Sequence, residues 1–346
     1  MESDVSRAVS VAIALAGLLG LTTQAAAQRS FADFSGLAGL ERTTLSSPQG
    51  DRLDIIRYSG SEPLPAVVVI PGSLCAPVFA ALDNAPGEAF ATVPLLSPTE
   101  RETLDSHLIY LERRNIVSLE TLSAAPEFSI EQIFKLSPCT DRNGALTLEQ
   151  RVADSLTQVR WLRQQKWVTS IHLVGVSEGS DVAAGVAAAD ASAVDSIMLI
   201  GGAGPTQFVD AAVFARNKGE ASGVSTVFAE LDQFLSSSAP ETYKGYSSKR
   251  WKSFAIDNSV LDLLLRSSVP VFIAHGDKDE NVPISSADLV AIELMRKQPD
   301  RAIFYWSVTG GDHMLRTSDG RRIGEAIVEY ASWAADLPEG RTFKAE

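Results

Sequence analysis

The stretch Ile171-His172-Leu173-Val174-Gly175-Val176-Ser177-Glu178-Gly179-Ser180 carries an apolar run into a Gly-x-Ser-x-Gly turn, and residues 181–189, rich in Ala and Val, follow it. It reads as strand, sharp turn and helix. In such a turn residue 177 takes strained backbone geometry, and a Cβ at 175 or 179 would strike the neighbouring strand or helix. The strain lifts Ser177 Oγ clear of the backbone. The N–H of Glu178 and the start of the helix then point to where negative charge develops when that oxygen attacks. The pentapeptide alone is weak evidence; a strand before it and a helix after it make Ser177 a candidate nucleophile for acyl transfer.

Working outward, the same kind of apolar run recurs at residues 65–70, 108–111, 196–200, 269–275 and 302–306. Continuous runs of this type belong to strands buried on both faces. Residues 146–165 place Leu148, Val152, Leu156, Val159 and Leu162 along one helical face just before the Ser177 strand. That spacing makes a βαβ unit, and the alternation along the chain predicts a mostly parallel central sheet flanked by helices, an α/β fold. Residues 43–47 and 52–58 flank Ser-Pro-Gln-Gly-Asp turn chemistry and read as an opening hairpin. Residues 76–107 are ambiguous, and 116–145 read as an irregular loop or partial lid. Residues 206–267 are too long for a strand-to-helix connection and hold helical stretches at 208–215, 227–235 and 260–265, so they are expected to form a helical cap inserted over the sheet. Helices at 285–297 and 321–335 complete the chain with packing roles.

The first seven residues lead into 8–21, which carry no charge, and then into Thr22-Thr23-Gln24-Ala25-Ala26-Ala27. This pattern is that of a secretory signal peptide cleaved after Ala27, with a periplasmic or secreted product of residues 28–346. Glu2 and Asp4 beside Arg7 make the leading segment less positive than usual, which leaves an uncleaved anchor as the alternative. This apolar core of about 14 residues falls short of the ~20 that a spanning helix needs. Cleavage removes two acidic residues and one basic, so the formal charge goes from −13 to −12. An acidic surface with no Lys/Arg cluster repels phosphate backbones and anionic headgroups, which argues against nucleic-acid and stable membrane partners. In an exported chain Cys75 and Cys139 can form one bridge, and closing that loop would stabilise the fold by about 4 kcal/mol. No linker or repeat divides the chain, so one domain with insertions is expected.

A serine nucleophile needs a base, and the base needs a carboxylate to orient it. Of four histidines, His107 precedes a strand, His172 lies within one and His275 ends one. His313, in Gly310-Gly311-Asp312-His313-Met314, follows the last predicted strand in a Gly-rich loop and is the candidate base. For the acid, His275-Gly276-Asp277-Lys278-Asp279-Glu280-Asn281-Val282-Pro283 offers three carboxylates. Asp279 in the middle of that loop is the choice, since Val282-Pro283 would anchor the loop end. Asp312 is adjacent to His313, and adjacent side chains diverge.

The order Ser177, Asp279, His313, with Gly-x-Ser-x-Gly, His-Gly-x-x-Asp-x-x-Val-Pro and Gly-x-Asp-His, resembles the α/β-hydrolase superfamily over nearly all of residues 28–346. Its 175–179 and 275–283 segments look most like the prolyl-oligopeptidase and dienelactone-hydrolase side. By resemblance Ser177 is nucleophile, His313 base and then acid, and Asp279 its orienter. The oxyanion hole would combine the backbone N–H of Glu178 with that of Ser73 or Leu74. Pro71-Gly72-Ser73 stands where many members have His-Gly, and residues 28–64 are too short for the β-propeller of prolyl peptidases. A Cys75–Cys139 bridge would tie the oxyanion loop to 116–145 and pre-set its N–H donors.

The expected function is thus an exported serine hydrolase that cleaves a small-molecule carboxylic ester through an acyl-Ser177 intermediate, with no metal or organic cofactor implied. Serine peptidase or amidase activity on a peptide substrate is the alternative, and an acyltransferase is a further enzyme of the same chemistry. The alternative from another class is an exported binding protein that keeps the fold without catalysis. Substrate choice is assigned to the cap, with Phe79 and Arg113 or Arg114 near the strand ends.

Overall fold

A computed structural model of the protein describes residues 37, 39–74, 76–82, 89–93, 96–116, 118, 121–122, 146–202, 204–236, 240–243, 246–337 and 341–345. Nine strands make one sheet: β1 (Leu40–Ser46), β2 (Arg52–Tyr58), β3 (Leu64–Ile70), β4 (His107–Leu111), β5 (Val168–Val176), β6 (Ser196–Ile200), β7 (Val271–Gly276), β8 (Ile303–Val308) and β9 (Arg341–Ala345). Their spatial order is β1-β2-β4-β3-β5-β6-β7-β8-β9. β1 and β2 form the expected antiparallel hairpin, β2 pairs antiparallel with β4, and every pair from β4 onward is parallel.

The apolar runs sort by alternate residues onto two faces, as a period of two requires. Ala66, Val68, Ile70, Ile171, Leu173, Ile197, Leu199, Val271 and Ile273 point to one face. Val67, Val69, Val174, Val176, Met198, Ile200, Phe272 and Ala274 point to the other. Both faces are covered, so each Val, Leu or Ile contributes about 1.5–3 kcal/mol by leaving water. On the first face lie α2 (Leu148–Arg163), α3 (Glu178–Ala189), α7 (Val260–Leu265) and α8 (Ile284–Lys297). On the second lies α9 (Ile323–Asp336), whose Tyr330 and Trp333 pack around Phe272 and Phe304. The helix face expected at 146–165 is the one buried. Thr147 starts it with a capping box to Gln150, which satisfies orphan N–H groups of the first turn.

Three regions differ from their sequence reading. The ambiguous 76–107 holds short strands at Phe79–Leu82 and Ala89–Ala91 and the helix α1 (Pro98–Thr103). β9 was not legible, because Arg-Thr-Phe-Lys-Ala is a polar edge strand, the type that charge protects from further pairing. The helical stretches between 206 and 267 also divide. α4 (Gln207–Asn217) and α5 (Ala221–Leu235) pack on each other and, with Tyr243, Trp251 and Ile256, share a small cluster at Phe208, Phe234 and Ala255. Next come α6 (Ser248–Lys252) and a π turn, Ser253–Asp257. α7 instead sends Val260, Leu263 and Leu264 into the main core beside α3. Cys75, Cys139, residues 1–27 and nearly all of 117–145 lie outside the described residues, and with them the expected disulfide, signal segment and lid.

Candidate active site

β5 ends at Val176 and α3 begins at Glu178, so one residue makes the whole turn. Ser177 does so at φ 53°, ψ −125°, a conformation that costs a side-chain-bearing residue about 1–3 kcal/mol. Its N–H is fixed by Ile200 O at 2.7 Å. A Cβ at Gly175 would overlap Gly179 and one at Gly179 would overlap Ile70 O, so the tight turn and the approach of β3 both require glycine. The sequence reading of the turn therefore matches the geometry.

The other groups arrive on loops after β7 and β8. His313 Nδ1 is 2.8 Å from Asp279 Oδ2. The side chain of His313 is 18% exposed and that of Asp279 is wholly buried, so a partly exposed imidazole is backed by a shielded carboxylate. Asp279 Oδ1 accepts from the N–H groups of Asn281 and Val282 at 2.7 and 2.9 Å. Burial works against its charge, but hydrogen bonds from His275 and His313, the His313 charge and the Val282 N–H outweigh it and hold the carboxyl well below the usual range. The competing carboxylates do other work. Asp277 accepts from Gly310 N–H at 2.7 Å, Glu280 is exposed, and Asp312 accepts from the N–H groups of Met314 and Arg316, both at 2.8 Å. Asp312 with fully buried Leu315 thus shapes the loop that presents His313.

Ser177 and His313 share a wall. After β6, Gly201 at φ 60° lies against His313, where a Cβ would come within 3.1 Å of Nδ1, and Gly202 lies against the Ser177 backbone. On the opposite side the loop after β3 covers the turn: a Cβ at Gly72 would be 3.1 Å from Ser177 Cβ and 3.7 Å from Oγ. The loop residues Ser73 and Leu74 follow directly, and Ile70 and Pro71 before them lie against Gly179 in the first turn of α3.

Two features were missed in the sequence. His275 Nε2 donates to Val282 O at 2.8 Å and lies 3.3 Å from Asp279 Oδ2, so it backs the acid that faces His313. Its four-residue spacing from Asp279 was the available signal. The second is a buried charge cluster around Glu178, whose carboxylate is in ion pairs with Arg151 and Arg250 and is 3.8 Å from Arg113. Burial lowers all three guanidinium groups, Arg151 to about 10 and Arg250 to about 9, and their mutual repulsion adds to it at Arg113 and Arg250. Arg151 sits on the buried face of α2, one turn from Leu148, and a charge there was the overlooked sign. Of the residues expected to touch substrate, Phe79 is fully buried edge-on to Tyr110, and Arg114 is held by Asp154 and Asp51. Arg113 is buried behind the loop after β3.

Among the described residues no group of three or more His, Cys, Asp or Glu could hold a metal ion, and no helix is long and apolar enough to cross a membrane. No protein-family model and no curated protein sequence matches the chain. Solved structures do. Est1E from Butyrivibrio proteoclasticus superposes with a TM-score of 0.50 at 14% identity over 85% of this chain and 99% of that one. DcsB, solved in complex with its substrate analogue, gives 0.54 at 15% identity over 86% and 99%. A puromycin-hydrolyzing peptidase of Mycobacterium tuberculosis gives 0.50 at 14% identity over 89% of this chain and 41% of that one. At such identities the likeness speaks for architecture alone: the chain has the α/β-hydrolase fold.

Proposed function

We propose that the protein is a serine hydrolase that cleaves a carboxylic ester through an acyl-Ser177 intermediate. The observation that carries this reading is the strained Ser177 turn beside a His313 hydrogen-bonded to a buried Asp279. With its Nδ1–H held by Asp279, the imidazole keeps Nε2 free to accept the Ser177 proton. Oγ then bonds to the carbonyl carbon and the carbonyl electron pair moves to oxygen, where the N–H of Glu178 and one from the loop after β3 receive it. The pair returns, the C–O bond to the alcohol breaks, and His313 gives its proton to the departing oxygen. Water repeats the sequence, its proton passing through His313 back to Ser177. The elements between 206 and 257 would bound the acyl or alcohol side as a cap.

An ester is preferred over an amide because its leaving group needs less help. Export to the periplasm or exterior by residues 1–27, and a Cys75–Cys139 bridge beside the oxyanion loop, belong to the same proposal on sequence grounds. The test is labelling of the purified protein by a fluorophosphonate probe, in parent, Ser177→Ala and His313→Ala, followed by turnover of short and long p-nitrophenyl esters and peptide amides. Labelling and ester turnover lost in both variants support the reading. Faster amide turnover would replace the ester by a peptide, and a folded parent that neither labels nor turns over would leave a binding protein.

A further inference from the structure

The arginine cluster behind Ser177 does more than neutralise Glu178. Arg151 Nη2 donates to Pro71 O at 2.7 Å, and Arg113 Nη2 donates to Gly72 O. Pro71 and Gly72 are the residues that lie over the Ser177 turn. Each trans peptide sets its C=O and the following N–H in opposite directions, and no cis bond occurs among the described residues. A carbonyl drawn toward a buried guanidinium therefore turns the next N–H away from it. Arg113 fixes the plane between Gly72 and Ser73, and Arg151 fixes the plane before it. The same guanidinium groups reach the carboxylate of Glu178, whose own N–H heads α3. Arg250 closes the cluster, stacked 3.9 Å from the ring centroid of Tyr246.

Taking the hydrolase reading as given, we propose that Arg113 and Arg151 are positioning residues that hold the oxyanion hole by fixing the carbonyls of Gly72 and Pro71. The two donors come from segments that share no secondary structure, the loop after β3 and the start of α3. One buried charge cluster ties them to each other. Stability alone is a poor reason for such a cluster, because desolvating several charges roughly cancels their attraction, and apolar replacements often do as well. A hole whose dipoles must stay fixed while charge develops is a better one, since preorganisation is what makes such donors effective.

The test compares Arg113→Met, Arg113→Lys and Arg151→Lys with the parent on the best p-nitrophenyl ester. Loss of one oxyanion donor costs about 10²- to 10³-fold in kcat. Arg113→Met should therefore lose about 10²-fold in kcat with KM within about threefold, and bind a boronic acid that mimics the tetrahedral state about 10²-fold more weakly. Arg113→Lys keeps a charged donor but not the fork, and should recover to within about tenfold of the parent. If Arg113→Met fails to fold, the two lysine variants carry the test, each expected to lose about five- to tenfold in kcat at constant KM. Unchanged kcat in the lysine variants, or a loss expressed in KM rather than kcat, would overturn the clamp. Ser177→Ala, run alongside, separates the two ideas: turnover retained there sinks the hydrolase reading itself, whereas turnover lost there but kept in all arginine variants sinks only the clamp.

Discussion

Ser177 is flanked by two regions built on opposite plans. On the side of β7 and β8, Asp279 and His313 sit on short loops after adjacent parallel strands, joined by a 2.8 Å contact and backed by His275. On the side of β3, Arg113, Arg151, Arg250 and Glu178 come from four distant segments and meet in a buried cluster. On the proposed mechanism the first flank moves a proton, which calls for one partly exposed ring and one shielded carboxylate. The second flank moves nothing; it holds dipoles still, and buried charges with several partners do that. Local loops suffice for the one and long-range contacts are required for the other.

The largest expected effects lie at the centre and on the proton-transfer flank. Ser177→Ala and His313→Ala should each lower kcat by at least about 10⁴-fold with the fold retained, measured by ester turnover and circular dichroism. Asp279→Asn should cost about 10³- to 10⁴-fold by leaving the wrong imidazole tautomer, while Glu280→Gln, on the exposed neighbour, stays within about twofold. Equal losses at 279 and 280 would break the assignment of the acid. Gly179→Ala tests the junction of the two flanks, because its Cβ would press into Ile70 O; we expect at least about 3 kcal/mol of lost stability in urea unfolding.

A smaller effect probes the strain itself. Ser177→Gly should be more stable than Ser177→Ala by about 1–2 kcal/mol, because glycine accepts φ 53° without a Cβ penalty. Equal stabilities would mean that the turn is not strained. The smallest concerns Glu112, beside Arg113, whose carboxyl burial pushes up from 4.5 to about 7 against hydrogen bonds from Ser118, Val78 and Arg113. The native state then binds this proton over a range where the unfolded chain has released it. Its contribution is complete below pH 4.5, declines as pH rises toward about 7, and is gone above that. Glu112→Gln should remove that decline, seen as a flatter dependence of the urea midpoint on pH; parallel curves for parent and variant would contradict it.

The sequence by itself determined the sheet and the turn. Short Val- and Ile-rich apolar runs fit strands buried on both faces, and a period of 3.6 at Leu148 to Leu162 fits a helix covering one of them. Gly-x-Ser-x-Gly between such elements left one conformation for Ser177. The position of the loop that carries Asp279 was also readable, since it had to begin where β7 ends. β9 was not, because an edge strand needs no apolar pattern, and α7 was taken with its neighbours because helical spacing does not say which core a helix joins. Only the tertiary structure decided that Arg113, Arg151 and Arg250 converge on Glu178, that His275 backs Asp279, and that Phe79 is core rather than pocket. Turn geometry is set by neighbours in the chain, where sterics act locally. Which buried charge meets which is set by the closing of the whole fold, and no periodicity records it.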